Sequence, residues 1–194
     1  QLMSIRVVIA EDEAIIRLDL KETLEEEGYD VVGETGRGDK AVELVRELRP
    51  DIAILDIKMP GMDGIEAARH ITKDRICGVL VLTAFSQREV IEEARDAGAL
   101  AYLVKPFQKT DLIPAIEVAI GRFREMQALN GEVDALEEQL EARKSIDRAK
   151  GILRDTHAMT ENDAYGFIQR GAMNHRATMK AVADMIISGE LRPE

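Results

Sequence analysis

Five short runs of β-branched and apolar residues, each followed by a helical pattern, constrain this chain more than any other feature. The runs are Ile5 to Ala10, Tyr29 to Gly33, Ile52 to Leu55, Val79 to Thr83 and Ala101 to Val104. They are near-continuously apolar, which suits parallel strands buried on both faces. Helical patterns follow at 14–27, 39–48, 64–73, 86–97 and from 109 onward. On the first of these, Leu18, Leu20 and Leu24 are expected to form the apolar face, with Gly28 as the stop. Five βα units in succession predict an α/β fold: an open, doubly wound, five-stranded parallel sheet with right-handed crossovers.

After residue 110 the strand signal disappears. Met126, Leu129, Val133, Leu136 and Leu140 step by 3, 4, 3 and 4, the a/d seam of about two coiled-coil heptads. Gly131 interrupts the run, at a cost of roughly 1 kcal/mol in a helix interior. Three all-α segments are expected beyond it. One continues through Ile146, Ala149, Ile152 and Leu153. A second is capped by Thr160 with Asp163 and carries Ala164, Tyr165, Phe167, Ile168 and Ala172 as core. A third runs from about His175 through Met179, Val182, Ala183, Ile186 and Ile187 to Ser188-Gly189.

Charge divides the chain in the same place. Residues 1–120 hold 24 acids and 15 bases, whereas residues 142–182 hold eight Lys/Arg and four acids. The net charge of −11 argues against a uniformly basic polyanion binder, yet leaves a basic island in the tail. A single cysteine, Cys77, excludes an internal disulfide. No apolar stretch approaches the roughly 20 residues of a membrane helix, and no signal peptide is apparent. A cytoplasmic protein is expected, with Gln1-Leu2 ahead of Met3 read as an engineered remnant.

Chemistry-bearing residues gather at the expected strand ends. Glu11, Asp12 and Glu13 follow the first strand, Asp56 the third, Thr83 the fourth and Lys105 the fifth. In doubly wound sheets, ligands bind beyond the carboxyl ends of strands where the order reverses. With strand order 2-1-3-4-5 the acids converge, and converging carboxylates require a cation or a raised pKa. Oxygen-only ligands suit Mg²⁺. The set can perform phosphoryl transfer, with Asp56 as nucleophile and Thr83 and Lys105 holding phosphoryl oxygens.

The motifs Ala10-Glu11-Asp12-Glu13, Leu55 to Gly64, Leu82-Thr83-Ala84 and Tyr102 to Phe107 make residues 3–120 resemble a two-component response-regulator receiver domain, a flavodoxin-like fold. The resemblance implies phosphorylation of Asp56 by a sensor histidine kinase. It implies Mg²⁺ held by Asp12, Asp56 and the Lys58 carbonyl, with Glu11 assisting through water. It makes Thr83 and Tyr102 the switch pair and limits catalysis to self-phosphorylation and dephosphorylation, so no enzymatic output is expected. Glu11 stands where many relatives carry Asp.

On its residues alone the tail is a dimeric module for a partner or a nucleic acid. Arg143, Arg148 to Leu153, Met159-Thr160-Glu161, Asp163-Ala164-Tyr165, Ile168-Gln169-Arg170, Ala172-Met173 and Val182-Ala183 make it resemble an ANTAR domain, the RNA-binding antitermination output of certain actinobacterial response regulators. That resemblance implies a phosphorylation-favoured homodimer that binds paired RNA hairpins. Arg143, Arg148, Lys150, Arg176 and Lys180 are the expected RNA contacts. Arg154 departs from the family pattern, which usually has an apolar residue there. The expected boundaries are 3–120 for the receiver, 121–142 for the coiled-coil linker helix and 143–190 for the ANTAR domain. Two alternatives stand beside this reading: a DNA-binding regulator using Asn174, Arg176 and Lys180, and an adaptor whose tail binds a protein.

Overall fold

A computed structural model describes residues 4–84 and 86–193; Met3 and the expected remnant at residues 1 and 2 lie outside the described residues. The chain divides into two compact units, residues 1–127 and 128–194.

In the first unit, β1 (Arg6–Ala10), β2 (Asp30–Thr35), β3 (Ile52–Asp56), β4 (Gly78–Thr83) and β5 (Ala101–Val104) form one parallel sheet in the order β2-β1-β3-β4-β5. Every pairing is parallel, so the carboxyl ends of all five strands lie along one edge. β3 and β4 are buried at every residue, as continuous apolar runs sandwiched between helices must be. Helices α1 (Ala14–Glu26), α2 (Gly38–Leu48), α3 (Gly64–Lys73) and α4 (Arg88–Asp96) alternate with the strands.

The odd and even positions of β1 and β3 feed separate cores. Val8, Ala10, Ala53 and Leu55 pack with Val45 and Ile71 of α2 and α3. Val7, Ile9, Ile52 and Ile54 pack with Leu24 of α1 and with Leu112 and Ile116 of α5 (Lys109–His157). Leu18 does not join them. It is 55% exposed and Ile15 is 85% exposed, so α1 buries only Leu20 and Leu24. Residues 20 and 24 are one turn apart on one face; residue 18 lies two positions from 20 and faces away.

The second unit is helical. Residues 128–157 of α5 pack with α6 (Glu161–His175) and α7 (Met179–Ser188) around Ala149, Leu153, Ala164, Ile168, Val182, Ala183 and Ile186. Thr160 caps α6 by accepting a hydrogen bond from the Asp163 N–H at 3.2 Å, as its spacing predicts. The third helical segment starts later than expected. His175 ends α6, Arg176 takes a left-handed φ of 51°, and Thr178 caps α7. Arg176 closes α6 in the role glycine usually takes, and its side chain hid that stop from sequence reading. Tyr165 corrects a second expectation: it is 45% exposed and stands outside the core cluster. Among the described residues no helix is long and apolar enough to cross a membrane.

Two glycines should respond oppositely to alanine. A Cβ on Gly64 would stand 2.0 Å from the Asp56 carbonyl oxygen, and nothing lies within 4 Å of one on Gly131. Gly64→Ala should therefore cost about 1–3 kcal/mol. Gly131→Ala should add about 0.5–1 kcal/mol by improving helix propensity. Denaturant titration of both variants reads the two signs.

Candidate functional site

Glu11, Asp56 and Thr83 are buried polar side chains in an otherwise apolar core, and they belong to neighbouring strand ends. Local hydrogen bonds fix each end. The Glu11 N–H donates to the Thr35 carbonyl at 2.9 Å, tying β1 to β2. The Ile57 N–H donates to the Leu82 carbonyl at 3.1 Å, and the Lys105 N–H to the Thr83 carbonyl at 2.8 Å. β3, β4 and β5 are thereby held together where Asp56, Thr83 and Lys105 emerge. Gly64 packs on the Asp56 backbone, and its N–H donates to the Ile57 carbonyl at 2.9 Å. A side chain at residue 64 would push that turn away.

Lys105 organises the charges. Its Nζ donates to Glu11 Oε2 at 2.7 Å and lies 3.2 Å from Asp56 Oδ2. The second Glu11 oxygen, Oε1, accepts from the Glu13 N–H at 3.1 Å. Glu11, Asp12 and Asp56 each offer a carboxylate oxygen within 4.8 Å of the others. Three negative charges face one ammonium, so this oxygen-only group fits a divalent cation.

Burial raises the Glu11 and Asp56 carboxyls above the ordinary carboxylate range, even though Lys105 pulls both down. Asp12 adds to the rise at Asp56 by repulsion. Burial alone would lower Lys105, yet Glu11 and Asp56 together raise it. The lysine is thus held as a cation at neutral pH.

Asp12, Glu13, Asp56, Ile57, Lys58, Thr83, Ala84 and Lys105 line a cavity of about 180 Å³. It is roomy enough for several waters. Asp12 is exposed at its mouth and Asp56 lies deep, so a small anion with its counterion can enter and meet a carboxylate backed by an ammonium. The structure therefore brings together Glu11, Asp12, Asp56, Lys58, Thr83 and Lys105. It does not bring Tyr102 to them. That ring is 46% exposed and lines a separate hollow with Arg95 and Arg122. Arg17 was missed in sequence reading: its Nη1 donates to the Glu11 carbonyl at 2.6 Å, and only the packing beside Gly36 reveals it.

In the second unit Arg143, Arg148, Arg176 and Lys180 are exposed. Lys180 pairs with Asp184 at 2.8 Å. Lys150 is only 17% exposed and is held by Asp147 at 3.0 Å and Glu161 at 2.7 Å. Glu161 also accepts from Arg154 at 3.1 Å, which supplies a carboxylate partner for the arginine that departs from the family pattern. Met126, Leu129, Val133, Leu136 and Leu140 are each between 44% and 63% exposed along α5.

The family profile "Response regulator receiver domain" matches residues 7–117, and the profile "ANTAR domain" matches residues 134–187. The chain is 60% identical over 182 residues to the transcriptional regulatory protein PdtaR of Mycobacterium tuberculosis, covering 94% of this chain and 89% of the relative. It is 42% identical over 115 residues to the chemotaxis protein CheY of Thermotoga maritima, covering 59% of this chain and 96% of that protein. Among solved structures, the response regulator domain of Thermotoga maritima CheB matches with a TM-score of 0.57 at 30% identity, covering 61% of this chain and 97% of that one.

The raised carboxyls set a sign for pH dependence. The folded site keeps protons that the unfolded chain releases, so its contribution to stability falls as pH climbs from the ordinary carboxylate range through the raised values. Asp56→Asn in chelator should raise the unfolding free energy at pH 7 by on the order of 1 kcal/mol, seen as a higher melting temperature. The gain should shrink as pH is lowered toward the ordinary carboxylate range. Calorimetry across that range checks it, and an unchanged or lowered value at pH 7 contradicts the crowding of charge.

Proposed function

Because the chain belongs to the response-regulator family, with a receiver domain followed by an ANTAR domain, we propose that it is a phosphorylation-gated, RNA-binding transcription antiterminator. The observation that carries the receiver half is the Lys105 ammonium lying 3.2 Å from the Asp56 carboxylate at the rim of the sheet. The receiver is taken as 3–120, the linker helix as 121–142 and the RNA-binding domain as 143–190.

The phosphoryl donor is a phosphohistidine on a sensor kinase. An Asp56 carboxylate oxygen attacks phosphorus, the P–N bond breaks, and its electron pair returns to the imidazole, which takes a proton from solvent. An acyl phosphate remains on Asp56. Glu11, Asp12, Asp56 and the Lys58 carbonyl would hold Mg²⁺, which when bound supplies the positive charge that offsets the crowded carboxylates and the incoming phosphoryl oxygens. Lys105 holds one phosphoryl oxygen through its ammonium and Thr83 another through its hydroxyl. Water reaches the acyl phosphate through the cavity mouth, so hydrolysis resets the domain.

Gating follows from how these groups are already engaged. A phosphoryl group that draws Lys105 and Thr83 toward itself withdraws the ammonium from Glu11 and leaves space behind Thr83. Tyr102, half exposed on β5, is the ring that fills such space by turning inward. The result is a population shift between two receiver conformations. The favoured one pairs the apolar seam from Met126 to Leu140 with the same seam of a second copy. The dimer then presents two basic islands, residues 142–182 of each copy, to two adjacent RNA hairpins. Arg143, Arg148, Arg176 and Lys180 are the phosphate contacts. Lys150 also serves, provided RNA outcompetes Asp147 and Glu161. The cytoplasm is the compartment that holds kinase, nascent RNA and chain together.

Beryllofluoride with Mg²⁺ should shift the sedimentation coefficient of the wild-type chain from monomer toward dimer. Asp56→Asn should abolish that shift while leaving the far-UV circular dichroism spectrum unchanged. Equal stimulation in both proteins would overturn the mechanism.

A further inference from the structure

The outward face of α6 differs from the rest of this highly charged surface. Asn162, Tyr165, Gly166, Gln169, Arg170 and Met173 fall within about 140° of arc at 3.6 residues per turn. None of them joins the buried core cluster, and Tyr165 and Met173 are 45% and 74% exposed. The unit has two aromatic residues; Phe167 packs against the core and Tyr165 does not.

Carboxylates are kept off this face. Glu161 is tied to Lys150 and Arg154, and Asp163 accepts a hydrogen bond from the Thr160 hydroxyl at 2.6 Å. From residue 164 to residue 176 there is no acid, and Arg170 and Arg176 supply positive charge. Gly166 shapes the surface further. A Cβ there would stand 3.0 Å from Arg170 Nη1, so glycine lets the guanidinium lie along the bare backbone next to Tyr165 in sequence.

A flat ring, a polarizable thioether, two amides and a guanidinium form a surface for unpaired bases. Rings stack on nucleobases, amides read their edges, and guanidinium binds the phosphate between them. A protein-binding face with this aromatic and thioether content would not need the carboxylate-free flank. We infer that the α6 face is the base-recognition surface of the RNA interface, with Tyr165 stacking on an unpaired loop base and Arg170 holding the adjacent phosphate. The inference rests on the RNA-binding reading and deepens it: the basic side chains elsewhere in the unit provide affinity, and α6 distinguishes a hairpin loop from a plain duplex.

The chain has three tyrosines and no tryptophan, so the difference in tyrosine emission between the wild type and Tyr165→Phe reports on Tyr165. The experiment uses the full chain with beryllofluoride and Mg²⁺. Its probe is a labelled pool of paired-hairpin RNAs with randomised loops, enriched on the wild type, with blunt duplex RNA of equal length as control. Tyr165→Ala should weaken hairpin binding roughly 5- to 150-fold and leave duplex binding and the salt slope unchanged. Tyr165→Phe should keep hairpin affinity within about twofold, since it keeps the ring. That variant should also lose the RNA-induced quenching of Tyr165 emission expected of the wild type. Arg170→Gln should reduce the salt slope by about one.

Met173→Ala, at a side chain mostly in water, should weaken hairpin binding in a variant whose fold is not at stake. Wild-type hairpin affinity in both Tyr165→Ala and Met173→Ala overturns the inference and spares the RNA-binding reading. Loss of self-association in Tyr165→Ala with hairpin affinity retained overturns it in favour of a contact between copies. Absence of any RNA binding by the wild type overturns the RNA-binding reading itself, and this inference with it.

Discussion

The ammonium of Lys105 is the interaction on which the first unit depends. It reaches from the end of β5 to Glu11 beyond β1 and to Asp56 at the end of β3. Two buried carboxylates side by side would be intolerable in an apolar core without it. The contact is a structural tie between the ends of three strands. A lysine already shared between two acids can be drawn to a third anion with little rearrangement. Its removal from Glu11 is felt at β1, on the far side of β3. Small displacements at the strand ends can reach the faces of the sheet because the same few hydrogen bonds hold backbone and site together.

Much of this was legible in the sequence, and the reason is physical. Buried parallel strands must be apolar on both faces, so β1, β3 and β4 announce themselves; acids, a hydroxyl and a lysine directly after the strand runs must meet at one edge. The failures share a different cause. Leu18 and Tyr165 are apolar residues left in water, and periodicity assigns any such residue to a core. The end of α6 was hidden because Arg176, not glycine, takes the left-handed conformation. Arg17 and Gly64 act through backbone approach, to which side-chain patterning is blind.

The second unit shows how charge is distributed when a polyanion is the expected partner. Glu161 occupies one lysine and one arginine at the start of α6. This local neutralisation concentrates the remaining positive charge on Arg143, Arg148, Arg170 and Arg176, for which no carboxylate partner is seen among the described residues. Arginine at these places suits phosphate better than lysine, because its planar fork binds two oxygens at once.

The seam along α5 has a thermodynamic consequence. Five apolar side chains on one stripe of a helix face water in the isolated chain. Whatever covers them adds its binding free energy to the stability of the helix, by mass action. With a second copy as the cover, as proposed above, the melting point of the C-terminal half would depend on protein concentration, while that of the self-contained sheet would not. Concentration would then be an input to this helix beside the phosphoryl group proposed at Asp56.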